Sequence, residues 1–138
     1  MSLPQQKFRE IVFQIVYSFD ILQAEEEELV PLIMKENKVS RKNVLEALDR
    51  ARNIQAKKEE LDQIIKDLSK EYAFDRIQII EKSILRLAIF EMNYDENIPG
   101  KVAISEAIRL CRKYSNPESA SFVNALLDAI YQSKIGDS

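Results

Sequence analysis

From Asp75 to Tyr94 the chain reads DRIQIIEKSILRLAIFEMNY, a helically spaced segment in which apolar residues take up almost the whole circumference. A helix apolar on nearly every side has to be enclosed by other elements, because a surface helix shows only one apolar stripe. Its polar remainder is narrow: Gln78, Lys82 and Arg86, with Glu81 beside them. The rest of the chain must therefore supply amphipathic partners. After the break at Asn97-Ile98-Pro99-Gly100, Lys101 to Tyr114 turns Ala103, Ile104, Ala107, Ile108 and Cys111 inward. Asn116-Pro117 is a good N-cap and first-position pair for a last helix that buries Val123, Leu126, Leu127 and Ile130.

The upstream half is helical as well. Pro4 opens a segment running to about Gln23, in which Phe8, Ile11, Val12, Ile15, Val16 and Phe19 share one face. At about 100° per residue Tyr17 points opposite that stripe and Phe13 lies about 40° from Tyr17, with Glu10, Gln14 and Asp20 around them. This predicts an aromatic pair on the outer side, either an anchor for a partner protein or a pair covered by a neighbouring helix. Residues 24–37 begin with four glutamates, favourable at a helix N-terminus, and contain Pro31, which fits a first turn or a kink. Ser40 looks like the N-cap of a long segment reaching about Tyr72; its middle, Asn53 to Glu60, is thin in large apolar groups, and a break is expected there. The elements add up to an all-α, compact single domain.

Composition narrows the chemistry. Only two glycines occur, Gly100 and Gly136, so a Gly-rich phosphate loop and a series of tight hairpins have no material. There is no histidine, which removes His-based acid–base chemistry and the commonest zinc ligand. The lone Cys111 sits in a helical pattern and reads as a small core residue of a reduced, cytoplasmic protein. Consecutive carboxylates such as Glu25 to Glu28 point in different directions on a helix and are expected to be solvated. No catalytic residue, metal site or cofactor is expected. No apolar run approaches the ~18 residues of a membrane span. The net charge of −3 argues against coating nucleic acid by bulk electrostatics and leaves only a local patch.

The densest such patch by sequence is Lys101, Ser105, Arg109, Arg112 and Lys113 on one short helix. Phe122, about a quarter turn off the centre of the last helix's apolar stripe, follows across the Ser115-Asn116-Pro117 turn. Cations hold phosphates and an aromatic face stacks unpaired bases for ~1–3 kcal/mol each, so the combination suits single-stranded RNA. The competing reading is a solvated helix face and a rim phenylalanine that closes the core. Spacing alone favours the latter.

Three motifs shift that balance: IIEKSILRLAIFEM, IPGKVAISEAIRLCRKYS and SASFVNALLDAI, preceded by KFREIVFQIVYSFD at the start of the chain. Together they resemble the NusB family of bacterial transcription antitermination factors over nearly the whole length. The resemblance implies about seven helices in two small subdomains, here about 4–72 and about 75–133, and no enzymatic activity. It implies binding of boxA-type single-stranded RNA in ribosomal-RNA leader transcripts together with NusE, the small-ribosomal-subunit protein, so that RNA polymerase elongation complexes are reached indirectly. On the matching positions the RNA side corresponds to Lys7, Arg9, Lys101, Ser119 and Phe122, and the NusE side to Tyr17, Asp75 and Glu81. No membrane is implied, and a homodimer is compatible with it.

Three departures from the family pattern are informative. Gln5-Gln6-Lys7-Phe8-Arg9 keeps two cations where an arginine run is common, which predicts weak RNA binding alone, rescued by NusE. Gly100 stands where an aromatic often follows Ile-Pro, and Ala125 where the family has a close-packing glycine. Two other readings share the fold: an RNA-guiding domain like those of rRNA cytosine methyltransferases, whose methyl-donor domain has no room in 138 residues, and a helical oligomerisation protein that binds no RNA.

Overall fold

Pro4 stands at the N-cap of α1 (Gln5–Ile21), its carbonyl accepting from the Phe8 N–H at 3.0 Å, and its missing N–H costs nothing there. A computed structural model describes residues 3–23, 25–69 and 74–136, and in it α1 closes where Leu22 N–H donates to Ser18 O at 2.9 Å and Gln23 takes a left-handed φ of 47°. α2 (Glu26–Asn37) carries three glutamates in its first turn, where the helix dipole favours them. Pro31 falls in the body of α2 instead of its first turn. It is exposed, as is Glu27, whose carbonyl would have received the absent N–H, so water can serve that oxygen. Ser40 caps α3 (Arg41–Ala56) by accepting from Asn43 N–H at 3.2 Å.

The break expected between Asn53 and Glu60 falls at Lys57, and α4 (Lys58–Leu68) follows it. The reach of this segment to Tyr72 lies outside the described residues. A 3-10 turn, Phe74–Arg76, leads to α5 (Ile79–Tyr94), then α6 (Gly100–Tyr114) and α7 (Pro117–Gly136). Asp75 thus belongs to the turn that precedes the central helix.

The helices form two compact units, Met1–Ala56 and Lys57–Ser138. α4 belongs to the second unit because it packs on α5 and α7. In the first unit α1 packs against both α2 and α3. That double cover buries residues on more than one side of α1: Arg9, Glu10 and Phe13 join Ile11, Val12, Ile15 and Val16 in the interior, while Phe8 and Phe19 are only half-buried.

In the second unit every residue of α5 from Ser83 to Glu91 is buried, as its nearly continuous apolar surface demands. The polar stripe divides, with Gln78 exposed and Lys82 half-buried but Arg86 inside. Arg86 is 4% exposed and its guanidinium donates to both carboxylate oxygens of Asp62 on α4, at 2.7 and 3.1 Å. On α6 the inward set is Ala103, Ala107, Leu110 and Cys111; Ile104 and Ile108 are half-buried, and Leu110, absent from the sequence reading, fills the core. α7 buries Val123, Leu126, Leu127 and Ile130 as expected.

Gly100 is set by close approach of α6 to α7. A Cβ there would lie 2.6 Å from Tyr131 Cδ2, so the ring of Tyr131 from the neighbouring helix occupies the space a side chain at this position would need. Ala125 is exposed, so nothing in this chain requires a close-packing glycine there.

Candidate nucleic-acid and protein-partner interface

The α6–α7 hairpin positions three of the eight residues. Its turn is fixed by Asn116, whose side-chain oxygen accepts from Ser119 N–H at 2.8 Å and so caps α7. Ser119 is 2% exposed and its hydroxyl is shared with that of Ser115 at 2.9 Å. Ser119 therefore shapes the turn from inside. One turn further on, Phe122 is half-buried, between exposed Ser121 and fully buried Val123.

Lys101 is exposed in the first turn of α6, beside Val102, itself 44% exposed. It lies at the far end of the hairpin. Gly100 faces Tyr131, which is nine residues, or roughly 13 Å of helix, beyond Phe122. The cations nearest the turn that precedes Phe122 are Arg109, Arg112 and Lys113. Arg109 is clamped by Glu106 at 3.0 and 3.3 Å, Lys113 lies 5.7 Å from the Tyr114 ring centre, and Arg112 is exposed. The basic face is thus long and partly neutralised, with an aromatic near one end and Lys101 at the other.

On α1, Lys7 is half-buried; its ammonium donates to Asn37 Oδ1 at 3.1 Å and lies 3.9 Å from Glu10. Asn37 and Gln14 in turn exchange reciprocal amide hydrogen bonds of 2.8 and 3.1 Å. Arg9 is 6% exposed and belongs to the interior. Of the expected outer aromatic pair only Tyr17 keeps partial exposure. Phe13 is 2% exposed, stacked on Tyr17 with ring centres 5.8 Å apart and planes 12° apart. For Phe13 the alternative of cover within the fold holds, since α1 packs against both α2 and α3.

Asp75 is exposed, whereas Glu81 is 9% exposed and closes a capping box by accepting from Gln78 N–H at 3.1 Å. The spacing Gln78-x-x-Glu81 just before an apolar run was the sequence signal for that role. Burial, and then the Glu81 charge, push the Cys111 thiol up to about 12. At neutral pH Cys111 is a buried, protonated core group. Glu26, within the acidic stretch, receives the Arg52 guanidinium, and that hydrogen bond holds its carboxyl below the usual range.

Two features escaped the sequence reading. Asn37 anchors Lys7 through a contact thirty residues away in the chain, which no local pattern announces. Phe74 is half-buried with the ammoniums of Lys82 and Lys66 at 4.1 and 4.9 Å from its ring centre. Among the described residues no group of three or more His, Cys, Asp or Glu is placed to hold a metal ion, and no helix is long and apolar enough to cross a membrane.

The model of the NusB family matches residues 6–132. The transcription antitermination protein NusB of Chlamydia pneumoniae is 43% identical over 130 residues, covering 94% of this chain and 81% of that protein. The solved structure of T. maritima NusB superposes with a TM-score of 0.79 at 27% identity, covering 96% of this chain and 93% of that one. A crystal structure of antitermination factors NusB and NusE in complex with double-stranded RNA gives 0.78 at 25% identity, covering 94% of this chain and 96% of that one.

Proposed function

The chain belongs to the NusB family of transcription antitermination factors, and on that footing we propose that it binds boxA-type RNA together with NusE and promotes processive transcription of ribosomal-RNA operons in the cytoplasm. It is a regulator and not an enzyme. The observation that carries the reading is the family match across residues 6–132, and the complex of related NusB with NusE and RNA supports the two partners.

Within this reading the eight residues divide by exposure. Lys101 and Lys7 neutralise phosphates and Phe122 offers an edge for base stacking. Ser119 and Arg9, both buried, hold the elements that present them. On the protein-partner side, Tyr17 and Asp75 are accessible for contact, and Glu81 fixes the start of α5. The N-terminal segment remains poor in cations, so RNA affinity is low for the chain alone and rises when NusE adds its own contacts. RNA polymerase is engaged through that assembly.

A gel-shift titration of boxA-type RNA at low salt, with the chain alone and with equimolar NusE, tests this. A weak shift alone and a strong shift with NusE is the expected pattern. Absence of any shift by the mixture, together with a stable homodimer in light scattering that NusE does not dissociate, would show the oligomerisation reading instead.

A further inference from the structure

We propose that the corner joining α2 to α3 is a second phosphate-binding platform for single-stranded RNA, continuing the surface that Lys7 begins. Lys35, Lys38, Arg41 and Lys42 are all exposed, and Glu36 is the one carboxylate among residues 35–42. This is a dense positive cluster in a chain whose net charge is −3. The inference rests on the RNA-binding reading above and adds a site to it.

Three local choices at this corner run against backbone or helix preference. Lys38 adopts φ 56° and ψ 48°, a left-handed conformation at a helix end where glycine or asparagine is the usual occupant. Arg41 and Lys42 occupy the first turn of α3, which holds no acidic residue, although the helix dipole there disfavours cations. Cations set against that partial positive charge raise the local potential, which is what an anion-binding surface needs. Locally unfavourable choices gathered at one exposed place mark a functional site more often than a purely structural one.

The corner is also rigid. The N–H groups of Lys38 and Val39 both donate to Met34 O, the latter at 3.3 Å, and Ser40 Oγ accepts from Asn43 N–H at 3.2 Å. The cations therefore project from a fixed turn. Asn37, the last residue of α2, holds the Lys7 ammonium at 3.1 Å, which ties the start of α1 to the cluster. Continuity with Lys7 selects RNA over an anionic lipid surface as the occupant. The cationic zone ends one to two turns along α3, where Glu46 and Asp49 flank Leu45. In this way the corner supplies the positive charge that Gln5 and Gln6 do not.

The test is fluorescence anisotropy of labelled boxA-type RNA with saturating NusE, measured over a series of KCl concentrations. It compares the unaltered chain with Lys38→Gln/Arg41→Gln/Lys42→Gln and with Lys57→Gln/Lys58→Gln/Lys66→Gln, which removes equal charge elsewhere. The corner variant should bind at least several-fold more weakly at low salt. Its slope of log K against log salt should be shallower by about 0.7 per lost contact, or about two overall, with an unchanged thermal midpoint. The control variant should keep nearly the original slope. Equal slopes for the unaltered chain and the corner variant overturn the proposal while leaving RNA binding intact, and equal losses in both variants reduce it to bulk charge. If the corner variant binds RNA normally but loses affinity for phosphatidylglycerol vesicles, the occupant is lipid and the assignment to RNA fails. No binding by the unaltered chain would remove the RNA-binding reading itself.

Discussion

Helices α1 and α5 are both heavily enclosed, yet the two units secure polar groups on them by different chemistry. On α5 the buried Arg86 is held by a full ion pair to Asp62, and Glu81 is consumed in a capping box. On α1 the half-buried Lys7 donates to the Asn37 amide oxygen at 3.1 Å and keeps only a loose ion pair, 3.9 Å, with Glu10, while Gln14 and Asn37 clasp each other through reciprocal amide bonds. A guanidinium that is almost fully desolvated needs a close compensating charge, whereas an ammonium that keeps part of its hydration can rest on an amide with its carboxylate partner further off. The difference teaches where charge is spent on structure and where it stays available. Arg86 has no remaining role at the surface, but Lys7 does.

The largest effect should come from breaking the charged arrangement. Asp62→Ala leaves Arg86 buried without this carboxylate and should cost about 3–5 kcal/mol in urea denaturation. Asn37→Ala removes the amide clasp and should cost only about 1–2 kcal/mol, since the groups it leaves, Gln14 and the Lys7 ammonium, are part-exposed and water can reach them. Equal losses in the two variants would erase the contrast between the units.

A third, smaller effect concerns Cys111, packed in the same unit as α5. Its folded pKa of about 12 lies above its ordinary value of 9.0. The unfolded chain therefore loses this proton first as pH rises, the folded state binds more protons between the two values, and stability falls from about pH 9 upward. Below pH 9 the thiol contributes no pH dependence. Iodoacetamide at pH 8 should leave the folded chain unmodified and label it quickly in urea; rapid labelling of the folded chain would show that the α5–α6 interior opens readily.

How far the sequence revealed this architecture depends on the range of the contact. The enclosed α5 and the stripe of α7 were legible because each follows from periodicity within one helix, and the break near Lys57 from a local thinning of apolar residues. For Phe13 the sequence left exposure and cover both open, because a helical wheel gives a direction but not the number of neighbours, and α1 has two. The ion pair that buries Arg86 within its polar stripe was not legible, because its partner Asp62 stands 24 positions away. The packing of α4 on α5 and α7 is likewise set by partners later in the chain. At the candidate site, Lys101 and the half-exposed Phe122 could be placed from spacing. The Ser119 hydroxyl is taken up by Ser115 and the Glu81 carboxylate by a capping box, which only the three-dimensional contacts display.

The central claim is that the second unit carries an RNA face separable from its core, and the paired variants Phe122→Ala and Leu127→Ala address it most directly. Leu127 is fully buried, so its truncation should cost about 2–5 kcal/mol of stability. Phe122→Ala should shift the urea midpoint far less, yet weaken binding of boxA-type RNA in the presence of NusE by about 5- to 150-fold, the equivalent of ~1–3 kcal/mol for one stacked base. Unchanged RNA affinity in Phe122→Ala, or a stability loss matching that of Leu127→Ala, would contradict the account and make Phe122 part of the core.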